Sequence, residues 1–238
     1  MAATRTKENL RKYKAQHTSE LGACWARAGA VRASGRARSS DGRERECLMP
    51  RHCQLLKANP IYAKISVLIH NGKPICESLI IVDYIDSVWP NPHKLLPEDP
   101  YEKAVARFWA DFGDKKVYDA GSRLIRATTE EERKKASEDL KWALMKIDEA
   151  LDTIAPGKPF FGGDSTNFAD VALAPFICWF KGYQKVGGFV LPGPEELPNL
   201  HKWVNAVKSV EAIRKSTPSP DKVGEFAEVI RKRAIGSA

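Results

Sequence analysis

The stretch KISVLIHNGKPICESLIIVDYI, residues 64–85, limits the possible folds more than any other part of the chain. Residues 66–70 (SVLIH) are β-branched and apolar, and Asn71-Gly72 is the strongest two-residue hairpin signal. KPICES, 73–78, reads as the return strand. SLIIVDYIDSVW then carries apolar residues at 79, 80, 81, 82, 84, 85, 88 and 89, more than one face of a helix. That pattern predicts a helix buried between two surfaces, with Ser78 as its N-cap and acidic Glu77 just before it. Residues 54–89 therefore read as one small α/β unit.

A hydroxyl and free amides at a helix N-terminus attract a carboxylate, because the helix dipole and unpaired N–H groups favour negative charge there. The acid beside them suits an ammonium. Glu77 and Ser78 could thus hold the amino-acid end of a small molecule; equally, Ser78 could simply cap the helix.

PNPHKLLPEDPYE follows, with four prolines in thirteen residues, and 90–101 reads as a domain linker. Residues 102–238 read as helix throughout. Thr129 and Glu132 make a capping box, and Leu140, Leu144, Ile147, Leu151 and Ile154 form an amphipathic stripe behind it. Asn167 with Asp170 predicts a second capped start, and Pro175 should kink the apolar run that follows. Ser219 with Pro220 predicts a third start, N-cap and N1. The fold class is α+β: a small α/β part, then an all-α part.

Residues 1–53 differ from the rest. They hold 12 Lys+Arg against 5 Asp+Glu, so nearly all of the net charge of +8 sits there. Between Arg27 and Cys53 the larger aliphatic residues are only Val31, Leu48 and Met49, too few to offset the entropy of ordering, and poor order is expected. The segment lacks the interleaved aromatics of a nucleic-acid reader, so no nucleic-acid partner is expected. The five cysteines form no ligand or disulfide pattern and suit a reducing compartment, the cytoplasm. The histidines make no metal-ligand spacing, so no metal is expected. No apolar run reaches membrane-spanning length, and the first residues have no secretory h-region. Acids within 1–53 argue against a transit peptide.

From about Leu55 to Arg233 the sequence resembles a plant glutathione transferase of the tau class. The similarity is carried by LLKANPIYAKI, VLIHNGKPICESLIIVDYID, FWADFGDKKVYDAGSRLI, PFFGGDSTNFADVALAPF, LPNLHKWVNAV and TPSPDKVGEFAEVIRKR, in order and spacing. The resemblance implies a thioredoxin-like first domain, here incomplete, an all-helical second domain, and a homodimer. It implies glutathione as co-substrate, with its thiol added to small apolar electrophiles in detoxification. Glu77 and Ser78 match the residues that hold the γ-glutamyl group. Ile65 matches the residue whose backbone pairs with the cysteinyl part, and Arg51 falls near the lysine beside the glycine carboxylate. Phe112, Lys116 and Phe180 are the expected lining of the electrophile pocket.

Two departures from the family pattern stand out. LGACWA, 21–26, resembles the lead-in to the catalytic serine, but Arg27 occupies the serine position, and 27–53 replace the βαβ unit, as an altered reading frame would do. No catalytic residue is therefore assigned. Ser66 stands where the family has a cis proline. A cis bond to another residue is costly, so Ile65–Ser66 is expected to be trans or strained. Two functions follow: a transferase with impaired catalysis, or a non-catalytic ligand-binding relative.

Overall fold

The structure is a computed structural model that describes residues 55–89 and 93–236. Residues 1–54, with the expected sites Arg27 and Arg51, lie outside the described residues.

Val67–His70 (β1) and Lys73–Cys76 (β2) form an antiparallel hairpin with Val67 opposite Cys76 and His70 opposite Lys73. Asn71 and Gly72 both take positive φ, 51° and 76°, as the two-residue turn requires. The helix Ser78–Val88 (α1) follows directly. Two details depart from expectation. Ser78 is the first helical residue and not the cap; Glu77 caps, because β2 runs to Cys76 and leaves one residue for the reversal. The Ile65–Ser66 bond, expected to be trans or strained, is cis. The approach to it is tied by buried Asn59, whose Nδ2 donates to the Lys64 carbonyl at 2.8 Å and whose Oδ1 accepts from the Tyr62 N–H at 3.2 Å.

The helices are Pro100–Phe112 (α2), Asp119–Arg126 (α3), Glu130–Ile154 (α4), Phe168–Leu173 (α5), Phe180–Gly187 (α6), Pro198–Ser209 (α7), Glu211–Ser216 (α8) and Pro220–Ile235 (α9). A π-helical turn, Gly113–Tyr118, joins α2 to α3, and a 3-10 turn, Ala174–Trp179, joins α5 to α6 where Pro175 falls. The α+β expectation holds among the described residues. Both capping boxes form: Thr129 Oγ1 accepts from the Glu132 N–H at 3.2 Å, and Asn167 Oδ1 accepts from Asp170 N–H at 3.2 Å. Ser219 caps α9 with Pro220 at its first position.

Two apolar clusters hold these elements. The larger lies inside the helical part, with Leu124, Leu140, Leu144, Leu173 and Leu200 at its centre. The smaller joins the two parts: Val82 of α1 packs with Ala106 and Ala110 of α2, Phe168 of α5, and Leu96. Residues 93–99 are docked at this joint. Asp86 accepts from the N–H groups of Leu95 and Leu96 at 3.0 and 3.2 Å, and the Leu95 carbonyl accepts from Phe168 N–H at 2.9 Å. An ion pair from Arg107 to Asp83, 2.6 Å, crosses the same seam. A two-stranded hairpin alone is marginal in water, so this joint is what supports it. Of the apolar faces of α1, Ile81 and Val82 are buried, while Ile80 and Val88 are exposed. Among the described residues α1 is thus covered where it meets the hairpin, α2 and α5.

Candidate glutathione and electrophile site

The hairpin delivers Glu77 to the start of α1 with φ 73° and ψ 125°. A residue other than glycine in that region costs of order 1–3 kcal/mol and persists where the surroundings demand it, most often at functional sites. The conformation turns the Glu77 peptide out of the strand direction at the head of α1, and no side chain caps the first turn. The N–H groups there remain without intrahelical partners. Ser78 is half-buried beside them and Glu77 is exposed.

The π turn lies close enough for the Glu77 charge to act on it. Asp114, its second residue, is exposed, and its carboxyl is held above its ordinary value, first by desolvation and then by the charges of Asp111 and Glu77, with Lys115 opposing. Lys115 is paired with Asp111 at 2.8 Å. Glu77 and Asp114, 37 residues apart in sequence, therefore share one field of negative charge beside the positive end of α1. That combination offers a place for an ammonium and, next to it, a place for a carboxylate. Burial, and then the Glu77 charge, also pushes the Cys76 thiol up, and its Sγ lies 3.6 Å from the Ala58 carbonyl. Cys76 is thus a protonated thiol at neutral pH and no ready nucleophile.

Of the other expected residues, Ile65 is half-buried just ahead of β1. Phe112 ends α2 in a cluster with Trp109 and Trp142, ring centroids 5.0 and 6.0 Å away. Lys116 is exposed on the π turn. Phe180 is buried in the helical core, where it lines a small apolar cavity with Val117, Leu144 and Phe176 that has room for about one water. The structure thus gathers Glu77 and Ser78 at one corner, sets Phe112 and Lys116 near the π turn, and leaves Phe180 within the core.

Sequence reasoning did not single out Asp114 or Tyr118. Tyr118 lies four residues after Asp114, about one turn along the same face of a π helix. It acts electrostatically on buried Tyr183, whose hydroxyl is pushed up chiefly by burial. Trp179 stacks near Tyr183 and meets Phe226 of α9, both at 6.2 Å between centroids. The available signal was the four-residue spacing of Asp114 and Tyr118, hidden by the intervening lysines.

Comparison with known proteins bears on the fold and the family. The family model described as the glutathione S-transferase N-terminal domain matches residues 47–87, and the one for the C-terminal domain matches 134–206. Glutathione S-transferase U19 of Arabidopsis thaliana is 45% identical over 181 residues, 76% of this chain and 80% of that protein. The probable glutathione S-transferase parC of Nicotiana tabacum is 46% identical over 75% of this chain and 78% of its own length. A tau-class glutathione S-transferase from mango superposes with a TM-score of 0.71 at 34% identity, covering 90% of this chain and 95% of that one. A rice enzyme solved in complex with glutathione gives 0.67 at 39% identity, covering 76% and 81%.

Proposed function

The chain belongs to the glutathione S-transferase family, in its tau class, and from that premise we propose that it conjugates the glutathione thiol to apolar electrophiles with impaired turnover. Glutathione is the co-substrate, and the detoxification of such electrophiles is the purpose. The observation that carries this reading is Glu77 at the head of α1, held at positive φ, with its negative charge acting on Asp114. The γ-glutamyl end of glutathione has an ammonium for Glu77 and Asp114 and a carboxylate for Ser78 and the first N–H groups of α1. Ile65, ahead of β1, offers its backbone to the cysteinyl part, and Arg51 a charge to the glycine carboxylate. Phe112, Lys116 and Phe180 are proposed for the electrophile side, with Tyr118, Trp179 and Phe226 supplying the aromatic surface.

Impaired turnover follows from Arg27. A serine hydroxyl aimed at the glutathione sulfur stabilises the thiolate, which is the attacking form. Losing one such donor costs about 2.7–4 kcal/mol, or about 10²–10³ in rate. A reducing, cytoplasmic setting suits the reading, and Cys76 and Cys178 are both free thiols. No described helix is long and apolar enough to cross a membrane. A homodimer is proposed because large apolar side chains, Phe108 and Trp142 among them, stand exposed on the helical part.

Retention on immobilised glutathione tests the binding half, with Glu77→Ala as the control that should elute early. Turnover of a chlorinated nitroaromatic, compared with that of Arg27→Ser, tests the catalytic half. The variant should be faster by about 10²-fold. Equal rates at full family-like turnover would falsify the impairment. Retention with no turnover in either protein would favour the non-catalytic binding reading.

A further inference from the structure

The chain has fifteen prolines, and only two of them follow a serine or threonine: Pro218 after Thr217, and Pro220 after Ser219. Both lie in the sequence Thr217-Pro-Ser-Pro-Asp-Lys222 between α8 and α9. We propose that Ser219 is a phosphorylation site for a proline-directed serine/threonine kinase, and that Thr217 is not.

The structure separates the two hydroxyls. Thr217 Oγ1 donates to the Ile213 carbonyl at 2.9 Å, and its residue is half-buried. Ser219 is exposed, and its Oγ only accepts, from the Lys222 N–H at 3.5 Å, the outer limit of a hydrogen bond. Among the described residues its own O–H donates to nothing. The backbone is already extended at both positions, with φ −91° and ψ 137° at Thr217 and φ −63° and ψ 144° at Ser219. An extended segment with a fixed proline at the next residue fits a groove without reordering, and Lys222 adds a cation three residues on. In the transfer, Ser219 Oγ bonds the γ-phosphorus of ATP as its bond to the β–γ bridging oxygen breaks. ADP leaves, and the hydroxyl proton passes to the base of the kinase.

The product places a dianion before the first turn of α9, where Lys222 N–H receives an acceptor with longer reach. The helix it strengthens is the one whose Phe226 meets Trp179.

The test incubates the full chain with such a kinase and labelled ATP, and maps the phosphate by mass spectrometry. A single phosphate on Ser219 is expected, absent in Ser219→Ala and unchanged in Thr217→Val. Pro220→Ala keeps the hydroxyl and the cap, so its loss of label would come from recognition and not from misfolding. Phosphate on Thr217, undiminished labelling of Pro220→Ala, or no incorporation at all would overturn the proposal.

Discussion

At the scale of single residues, two aspartates carry raised carboxyls in different settings. Asp170 is fully buried and accepts from the N–H groups of Phe161, Gly162 and Asn167 and from Trp203 Nε1, at 2.7 to 3.2 Å. Burial outweighs these bonds and lifts its pKa, yet the bonds tie the 160–170 loop to α7. Removing the carboxylate would leave several buried donors unmet, each worth about 1–3 kcal/mol. Asp114 is exposed; partial desolvation and then the like charges of Asp111 and Glu77 lift it, and it satisfies no described donor of this kind. Its folded pKa lies above its unfolded one, so the native state prefers it protonated. Its ionisation thus costs stability as pH rises through that range. Asp114→Asn should therefore raise the melting temperature at neutral pH, leave it unchanged near about pH 3 where both forms are neutral, and weaken glutathione binding. A variant that gained stability and kept its affinity would remove Asp114 from the site. Glu77 and Ser78 were legible from sequence because they sit at one strand–helix junction. Asp114 was not, because DKK at 114–116 reads as a solvated face and its partner is distant in sequence.

At the scale of elements, what the sequence made plain is what neighbours in sequence decide. The Asn-Gly turn and the capping boxes at Thr129 and Asn167 each close within a few residues, so their side chains specify them directly. The π turn is different. A Cβ at Gly113 would fall 2.6 Å from Leu173 Cδ2 and 3.2 Å from Phe176 Cε2, so the backbone there lies against the α5 region because it has no side chain. Nothing local in FGDKKVYD announces that approach, and sequence periodicity runs straight through it as one α-helix. Gly113→Ala should cost about 1–3 kcal/mol by overpacking and, because Asp114 follows, should weaken glutathione binding as well. Gly121→Ala is the matched control: its Cβ would meet buried Tyr183 at 2.3 Å, away from the Glu77 corner. Urea unfolding and glutathione titration of both variants check this. Equal affinities in the two would mean that the π turn only packs and does not position.

At the scale of the whole molecule, the apolar surface is uneven. The joint between the two parts is well covered, but Ile80 and Val88 on α1 stand open at 58% and 42% exposure. On the helical part, Phe108 and Trp142 are exposed to 58% and 47%. Phe108 and Trp142 both border Phe112, at 6.4 and 6.0 Å between ring centroids, so they extend one aromatic patch over α2 and α4. A two-fold dimer brings one patch of each subunit against a different patch of the other, twice, and a stable one buries about 1,200–2,000 Å². We propose the α1 face and the aromatic patch as such a pair, since both are apolar and they lie on different parts of the chain. A rim ion pair would add little by comparison. Sedimentation velocity should therefore give a dimer of the 26.5 kDa chain, and Phe108→Glu with Trp142→Glu should shift it to monomer. Both side chains are about half exposed, so a folded monomer should keep its melting temperature within a few degrees once dimer linkage is allowed for. Ile80→Glu, on the opposing face, should dissociate the dimer independently. A wild-type monomer, or a dimer indifferent to all three changes, would place any interface elsewhere and leave the aromatic patch to ligands.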